Sequence, residues 1–203
     1  MKQQLTLFLL ITIIGCGQTK VNTDKTVEPT MELFNAFDKD NHLQPHFDKT
    51  KFDTLHGWKF GWAVLQPINI AKDDEDEKLL SRRLTPGQKA LYFIWYLDAQ
   101  VTNGGFIQFY WNDYRKYLPP IIDGLKLIGD TSMIVLVEKV DKAYLANEDR
   151  FLLQKQKNDI EPLYDSLKHF DDYDKIYYQS HNNTMLLIEK YARKNSTEFV
   201  IFK

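Results

Sequence analysis

The stretch from Thr85 to Asn112 constrains this chain more than any other. Thr85 is placed to accept a hydrogen bond as an N-cap. Gln88, three residues on, can reach back, which is the spacing of a capping box. Pro86 falls at the first helical position, where its missing N–H costs nothing. No breaker follows before Thr102, so about 17 residues predict a rod of roughly 25 Å. Leu91, Ile94, Trp95 and Val101 line one face, and Tyr92, Phe93, Tyr96 and Leu97 fill most of the rest. A helix apolar nearly all round is a central, buried one. Asn103-Gly104-Gly105 then ends it, because Asn and Gly tolerate the positive φ of a C-terminal helix cap. Phe106, Phe109, Tyr110 and Trp111 resume a near-helical spacing, which predicts a second helix folding back on the first.

The rest of the chain reads as further helices. Leu55, Trp58, Trp62 and Leu65 form a helical stripe, and Gly57 and Gly61, four apart, leave room for another helix to approach. Leu118, Ile121, Ile122, Leu125 and Ile128 follow the helical period between Pro119-Pro120 and Gly129. Asp130 or Thr131 caps the next helix, whose stripe is Met133, Val137, Val140 and Tyr144. A short helix is expected past Pro162, with Leu163, Tyr164 and Leu167 inward. A last one is expected over 184–194, capped by Asn183, with Arg193 and Lys194 where the helix dipole prefers them. Thr197 to Phe202 reads as β-like or a docked tail. Short links favour antiparallel neighbours. The predicted fold class is all-α: a single compact multi-helix bundle after a signal peptide and a flexible tether.

The run Leu97 to Phe109, Leu-Asp-Ala-Gln-Val-Thr-Asn-Gly-Gly-Phe-Ile-Gln-Phe, resembles the signature of the DNA-mimic-protein family, a helical domain of bacterial proteins. Its core here is Asn103, Gly104, Gly105, Phe106 and Gln108. The segment Ile121 to Gly129 resembles that family's helix ending in Ile-Gly, and the likeness covers roughly Thr50 to Ala192. The resemblance implies an all-helical domain, often dimeric, so a homodimer is allowed. It also implies a protein partner, since one member imitates DNA with an acidic surface and captures a transcription factor. It carries over no binding residue.

The N-terminus reads as a targeting segment, residues 1–16. Lys2 supplies the positive region and Leu5 to Ile14 the apolar one, too short to span a bilayer. Ile13-Ile14-Gly15-Cys16 resembles a bacterial lipobox, with Ile in place of Leu at its first position. Cys16 is the only cysteine, so no internal disulfide can form, and lipidation is the expected use of it. The alternative is an ordinary secretory signal carrying a chance cysteine. The expected location is the bacterial cell envelope, as a membrane-anchored lipoprotein. Residues 17–45 are expected as a tether, polar and without period over most of their length, and 46–203 as the domain.

The chain carries 26 basic and 28 acidic residues, a formal charge of −2. Losing Lys2 with the leader gives 25 against 28, or −3. That balance argues against direct nucleic-acid binding and against whole-molecule DNA mimicry. The dense acidic run Asp73, Asp74, Glu75, Asp76 and Glu77 is expected as a solvated loop before a helical turn over 78–84. With Asp171, Asp172 and Asp174 it forms the candidate acidic partner surface. His42 and His46 are spaced like metal ligands on a helix, but Pro45 breaks that helix, so no metal and no cofactor are expected. His56, His169 and His181 are isolated, and each is expected at the surface or as a satisfied core histidine. No phosphate loop, nucleophile elbow or zinc motif is present. Three roles stay open: a tethered domain binding a protein partner, an envelope hydrolase using a carboxylate pair, or a glycan-binding module using Trp95, Tyr110, Trp111 and Tyr114.

Overall fold

Residues 33–203 are described by the computed structural model; the lipobox and the first part of the expected tether lie outside them. In chain order the elements are β1 (His46–Phe47), α1 (Lys49–Thr54), α2 (Gly57–Leu65), α3 (Asp74–Arg83) and α4 (Pro86–Trp111). A 3-10 turn (Tyr114–Tyr117) leads into α5 (Leu118–Ile128), α6 (Thr131–Leu145), α7 (Glu148–Lys157), α8 (Glu161–Ser166), α9 (Phe170–Lys194) and β2 (Ile201–Phe202). The described residues form an all-α bundle built around α4, with one short parallel strand pair, Phe47 beside Phe202.

Helix α4 begins as its sequence predicts. Thr85 accepts from the Gln88 N–H at 3.2 Å, and the Gln88 side chain accepts from the Thr85 N–H at 3.0 Å. Leu91, Tyr92, Phe93, Ile94, Leu97 and Val101 are all buried along its first arm. The break falls at Gly104 (φ −156°, ψ 28°) and Gly105 (φ +71°, ψ −176°). The second arm folds back. Gln100 accepts from the Asn112 side chain at 2.7 Å, although twelve residues of straight helix would separate them by about 18 Å. Gly105 is not in the left-handed helical region expected of a cap. Its positive φ with ψ near 180° is a region essentially reserved for glycine.

Helices α5 and α6 pack as their stripes predict. Leu118, Ile121, Leu125 and Ile128 are buried, as are Met133, Val137, Val140 and Tyr144. Gly129 ends α5 at φ +79°, and Asp130 caps α6 by accepting from the Met133 N–H at 3.0 Å. The close approach expected at α2 is made by α9: a side chain at Gly61 would meet the Met185 sulfur.

Three expectations are corrected. The acidic run is not a loop. Asp73 is the N-cap of α3, accepting from the N–H groups of Glu75 and Asp76, and the acids that follow sit in the first turn, where the helix dipole favours them. The last helix does not start at Asn183; α9 runs unbroken from Phe170 for 25 residues. The inward stripe of α2 is Phe60, Val64 and Leu65, with Trp62 turned out, because α9 packs against Gly61 through Met185. Helix α7 carries no strong sequence period and is fixed by one residue, the buried Phe151.

Within the expected tether, residues 33–45 run against the domain. Leu33 is buried. The Asp38 N–H donates to the Arg82 carbonyl, and the Leu43 N–H to that of Arg83, each at 2.7 Å. The Lys89 ammonium, itself wholly buried, donates to the carbonyls of Phe34 and Ala36. Gln88 donates to the carbonyls of Leu43 and Phe199, both at 3.1 Å, so the first turn of α4 holds this strap and the C-terminal tail together.

Candidate functional site

The break in α4 organises one polar site. Asp174 of α9 accepts from the Phe106 N–H at 2.8 Å, capping the second arm. Burial pushes the Asp174 carboxyl up; the Phe106 N–H opposes this and Asp171 adds to it. Tyr164 donates to the Gly104 carbonyl at 2.8 Å. On the outer side a chain of amides crosses the break: Asn103 donates to Gln108, and Gln108 to Gln100 at 3.3 Å. Of the signature residues, Gly105 and Phe106 are buried, and Asn103 and Gln108 reach the surface in this chain.

Less than two helical turns before the break lies a second cluster. Asp98 accepts on one carboxylate oxygen from Tyr177 at 2.9 Å and faces the His181 Nδ1 at 3.0 Å. Trp58 covers His181, with ring centroids 5.3 Å apart, and donates its indole N–H to Asn182 at 2.7 Å. The rings of Trp58 and Trp62 each lie within about 5.5 Å of Trp95 (5.3 and 5.4 Å). Trp62 is 48% exposed and Tyr178 47%. His181 is thus held by Asp98, Trp58 and Tyr177, whereas His56 is exposed and faces Glu189 through one ring nitrogen at 2.8 Å. Burial works against the Glu189 charge, but the Gly57 N–H, Arg193 and His56 outweigh it and hold its carboxyl below the usual range.

The third feature is an open groove of about 920 Å³ between the 3-10 turn, α5 and α6. Leu118, Pro119, Ile122, Tyr144 and Leu145 give it an apolar floor. Its rim carries both signs of charge, with Arg115 paired to Asp141 at 2.8 Å and Lys126 to Asp123 at 3.0 Å. Lys116, also on the rim, reaches Asp74 at the start of α3 at 2.8 Å, so the acidic run abuts this groove.

The predicted site residues separate. Asp73, Asp74 and Glu75 are exposed and Asp76 half-buried on α3. Asp171 and Asp172 are exposed in the first turn of α9, with Asp172 paired to Lys175. Two residues leave the acidic surface. Asp174 is the cap just described. Glu77 is only 5% exposed and accepts from Tyr96 at 2.6 Å, Tyr92 at 3.3 Å and Tyr117 at 2.5 Å. The helical period from the Asp73 cap turns Glu77 inward with Leu80 and Leu84, and that register was the signal available in the sequence. The candidate glycan aromatics share no platform. Tyr110 is buried and stacked on Tyr144 at 4.2 Å, Tyr114 packs on Tyr96 and Phe109, Trp95 joins Trp58 and Trp62, and Trp111 lies half-buried apart from them. Cys16 lies outside the described residues. Among the described residues no three His, Cys, Asp or Glu side chains gather as a metal site, and no helix is long and apolar enough to cross a membrane.

The model of the DMP19-like protein family matches residues 82–195, more than half of the 203. The chain belongs to the DMP19-like protein family. The match runs from the end of α3 to the end of α9 and includes both arms of α4, whereas the resemblance read from the sequence reaches back to Thr50. Helices α1 and α2, with Trp58 and Trp62, lie outside the matched span. No curated protein matches the chain.

Proposed function

We propose that this DMP19-like chain is a non-catalytic domain, tethered to a bacterial membrane through Cys16, that binds a protein partner. The binding surface is the groove between α5 and α6 together with the acidic start of α3. One observation carries this reading: the groove has an apolar floor inside a charged rim, the anatomy of a protein interface, and is joined to the exposed carboxylates by the Lys116–Asp74 pair. Family membership supports a protein partner, and the carboxylates of Asp73, Asp74, Glu75 and Asp76 suit a partner with a basic edge. Asp171 and Asp172 form a second, smaller candidate contact.

The anchor places the partner in the envelope, where an exported domain does not meet a cytoplasmic transcription factor. A photo-crosslinking residue at Ile122 should trap a partner in membrane fractions, while one at the exposed Val135, on α6 outside the groove, should not. Equal trapping at both positions, or none at either, would overturn the groove. An adduct of twice the chain's mass would assign the groove to a second copy instead. Palmitate should label the protein and the Cys16→Ser variant should not; unchanged labelling removes the tether.

A further inference from the structure

Three of the four tryptophans meet on one face, where α2 and α9 cross the first arm of α4. Clustering such large rings at the surface is costly unless something covers them, since each buries a large apolar area when it docks. The face has a consistent character. Helix α2 carries no acidic residue, and its one charge is the exposed Lys59, between Trp58 and Trp62. From Tyr178 to the end of α9 the only acid is Glu189, which is buried and paired. Lys190 and Lys194 are exposed there, and Leu186 is 55% exposed one turn beyond Asn182, the residue that accepts from Trp58. Exposed acids are densest in the first turns of α3 and α9, and Asp53 of α1, the exposed acid nearest α2 in sequence, is paired with Lys49.

We propose that this tryptophan face rests on the interfacial layer of the bilayer to which the chain is tethered. The inference depends on the tethered reading above. Tryptophan and tyrosine have an apolar body and a polar edge, and they concentrate at the headgroup level of membranes. Lysines beside them are attracted to anionic lipid. An acidic edge would be repelled, and α2 presents none.

Chain length favours the contact once Cys16 is acylated. Sixteen residues, 17–32, separate that cysteine from Leu33. Fully extended they reach at most about 55 Å. A domain of this size has a radius of gyration of about 15 Å, so the reach is little more than one domain diameter. At such an effective concentration even a weak surface affinity is realised.

The test uses the full, acylated chain reconstituted in vesicles of phosphatidylethanolamine and phosphatidylglycerol carrying brominated acyl chains. A Trp111→Phe background leaves Trp58, Trp62 and Trp95 as the emitters. Tryptophan emission should fall by about half against unbrominated vesicles, and Trp62→Ser should cut that quenching roughly twofold without loosening the fold, because Trp62 is already half exposed. Lys59→Glu should weaken it further, most at low salt. Protein that floats with the vesicles but is unquenched by bromine, and stays open to aqueous iodide, overturns the membrane contact while leaving the tether intact. Protein that does not float overturns both. A face protected from iodide without bromine quenching belongs to a macromolecular partner instead, and that outcome also overturns the proposal.

Discussion

Gly105 holds a backbone conformation that side chains do not adopt, and the Asp174 carboxylate stands where its Cβ would be. Gly105→Ala should therefore cost roughly 2–3 kcal/mol in chemical denaturation. Gly105→Asn should be no better, although Asn would rescue a left-handed cap. Recovery of stability with Asn would contradict the observed geometry. Lys89 is the other decisive residue. Burial pushes its ammonium down to about 8 from 10.5, so between those values the unfolded chain binds more protons than the fold does. Stability then rises with pH across that window, by about 1–2 kcal/mol between pH 8 and 9.5. The buried tyrosines act in the opposite direction only as pH approaches 10, since burial raises them and their contribution is lost above the ordinary tyrosine value. Denaturation midpoints of the wild type should climb between pH 7.5 and 9.5, and those of Lys89→Met should stay flat. Parallel curves would dismiss the lysine as the cause.

At the scale of elements, α3 shows how one run of acids divides its work. Asp73→Ala removes two capping bonds and should cost about 1 kcal/mol. Glu75→Gln touches only an exposed pair with Lys78 and should stay within about 0.5 kcal/mol. Glu77→Gln weakens bonds from three tyrosine hydroxyls and should cost roughly 2–3 kcal/mol. Equal effects for all three would mean the run is solvated throughout. The sequence made α4, α5 and α6 legible because a clear apolar period is joined to boundary signals: the Thr85 cap and glycine break of α4, the Pro119-Pro120 entrance and Gly129 stop of α5, and the Asp130 cap of α6. It hid α3 because five acids in a row read as charge before they read as a cap and first turn. It hid the first half of α9 because Asp171, Asp172 and Asp174 lowered its apparent helicity, while Phe170 and Tyr177, seven residues apart, kept the inward face. Of the candidate site, the glycine break was legible through residue type. Its partners Asp174 and Tyr164 were not, being some 60 to 70 residues away (68 and 60) and joined to it only by the packing of α8 and α9.

At the scale of the whole molecule, the two ends of the domain are fastened to one another. The Ile201 N–H donates to Pro45 and the Lys203 N–H to Phe47, while Thr85 donates to the Glu198 carbonyl at 2.7 Å. Phe199→Ala should cost about 3–4 kcal/mol although it lies in the tail after α9, because its ring is fully buried against the start of α4. A near-neutral result in thermal unfolding would show the tail to be dispensable. The fastening also explains why the tether's inner boundary could not be read from composition: 33–45 is polar enough to pass for a linker, yet backbone carbonyls in it serve Lys89, Gln88 and Arg83.

The wholly buried Lys89 gives that strap a mechanical meaning. Any load arriving from ahead of Leu33 is delivered to the carbonyls of Phe34 and Ala36 and from there into the opening turns of the central helix. A tug strong enough to strip the strap would leave an ammonium stranded in the interior, so for this molecule detachment and collapse of the keystone are a single event.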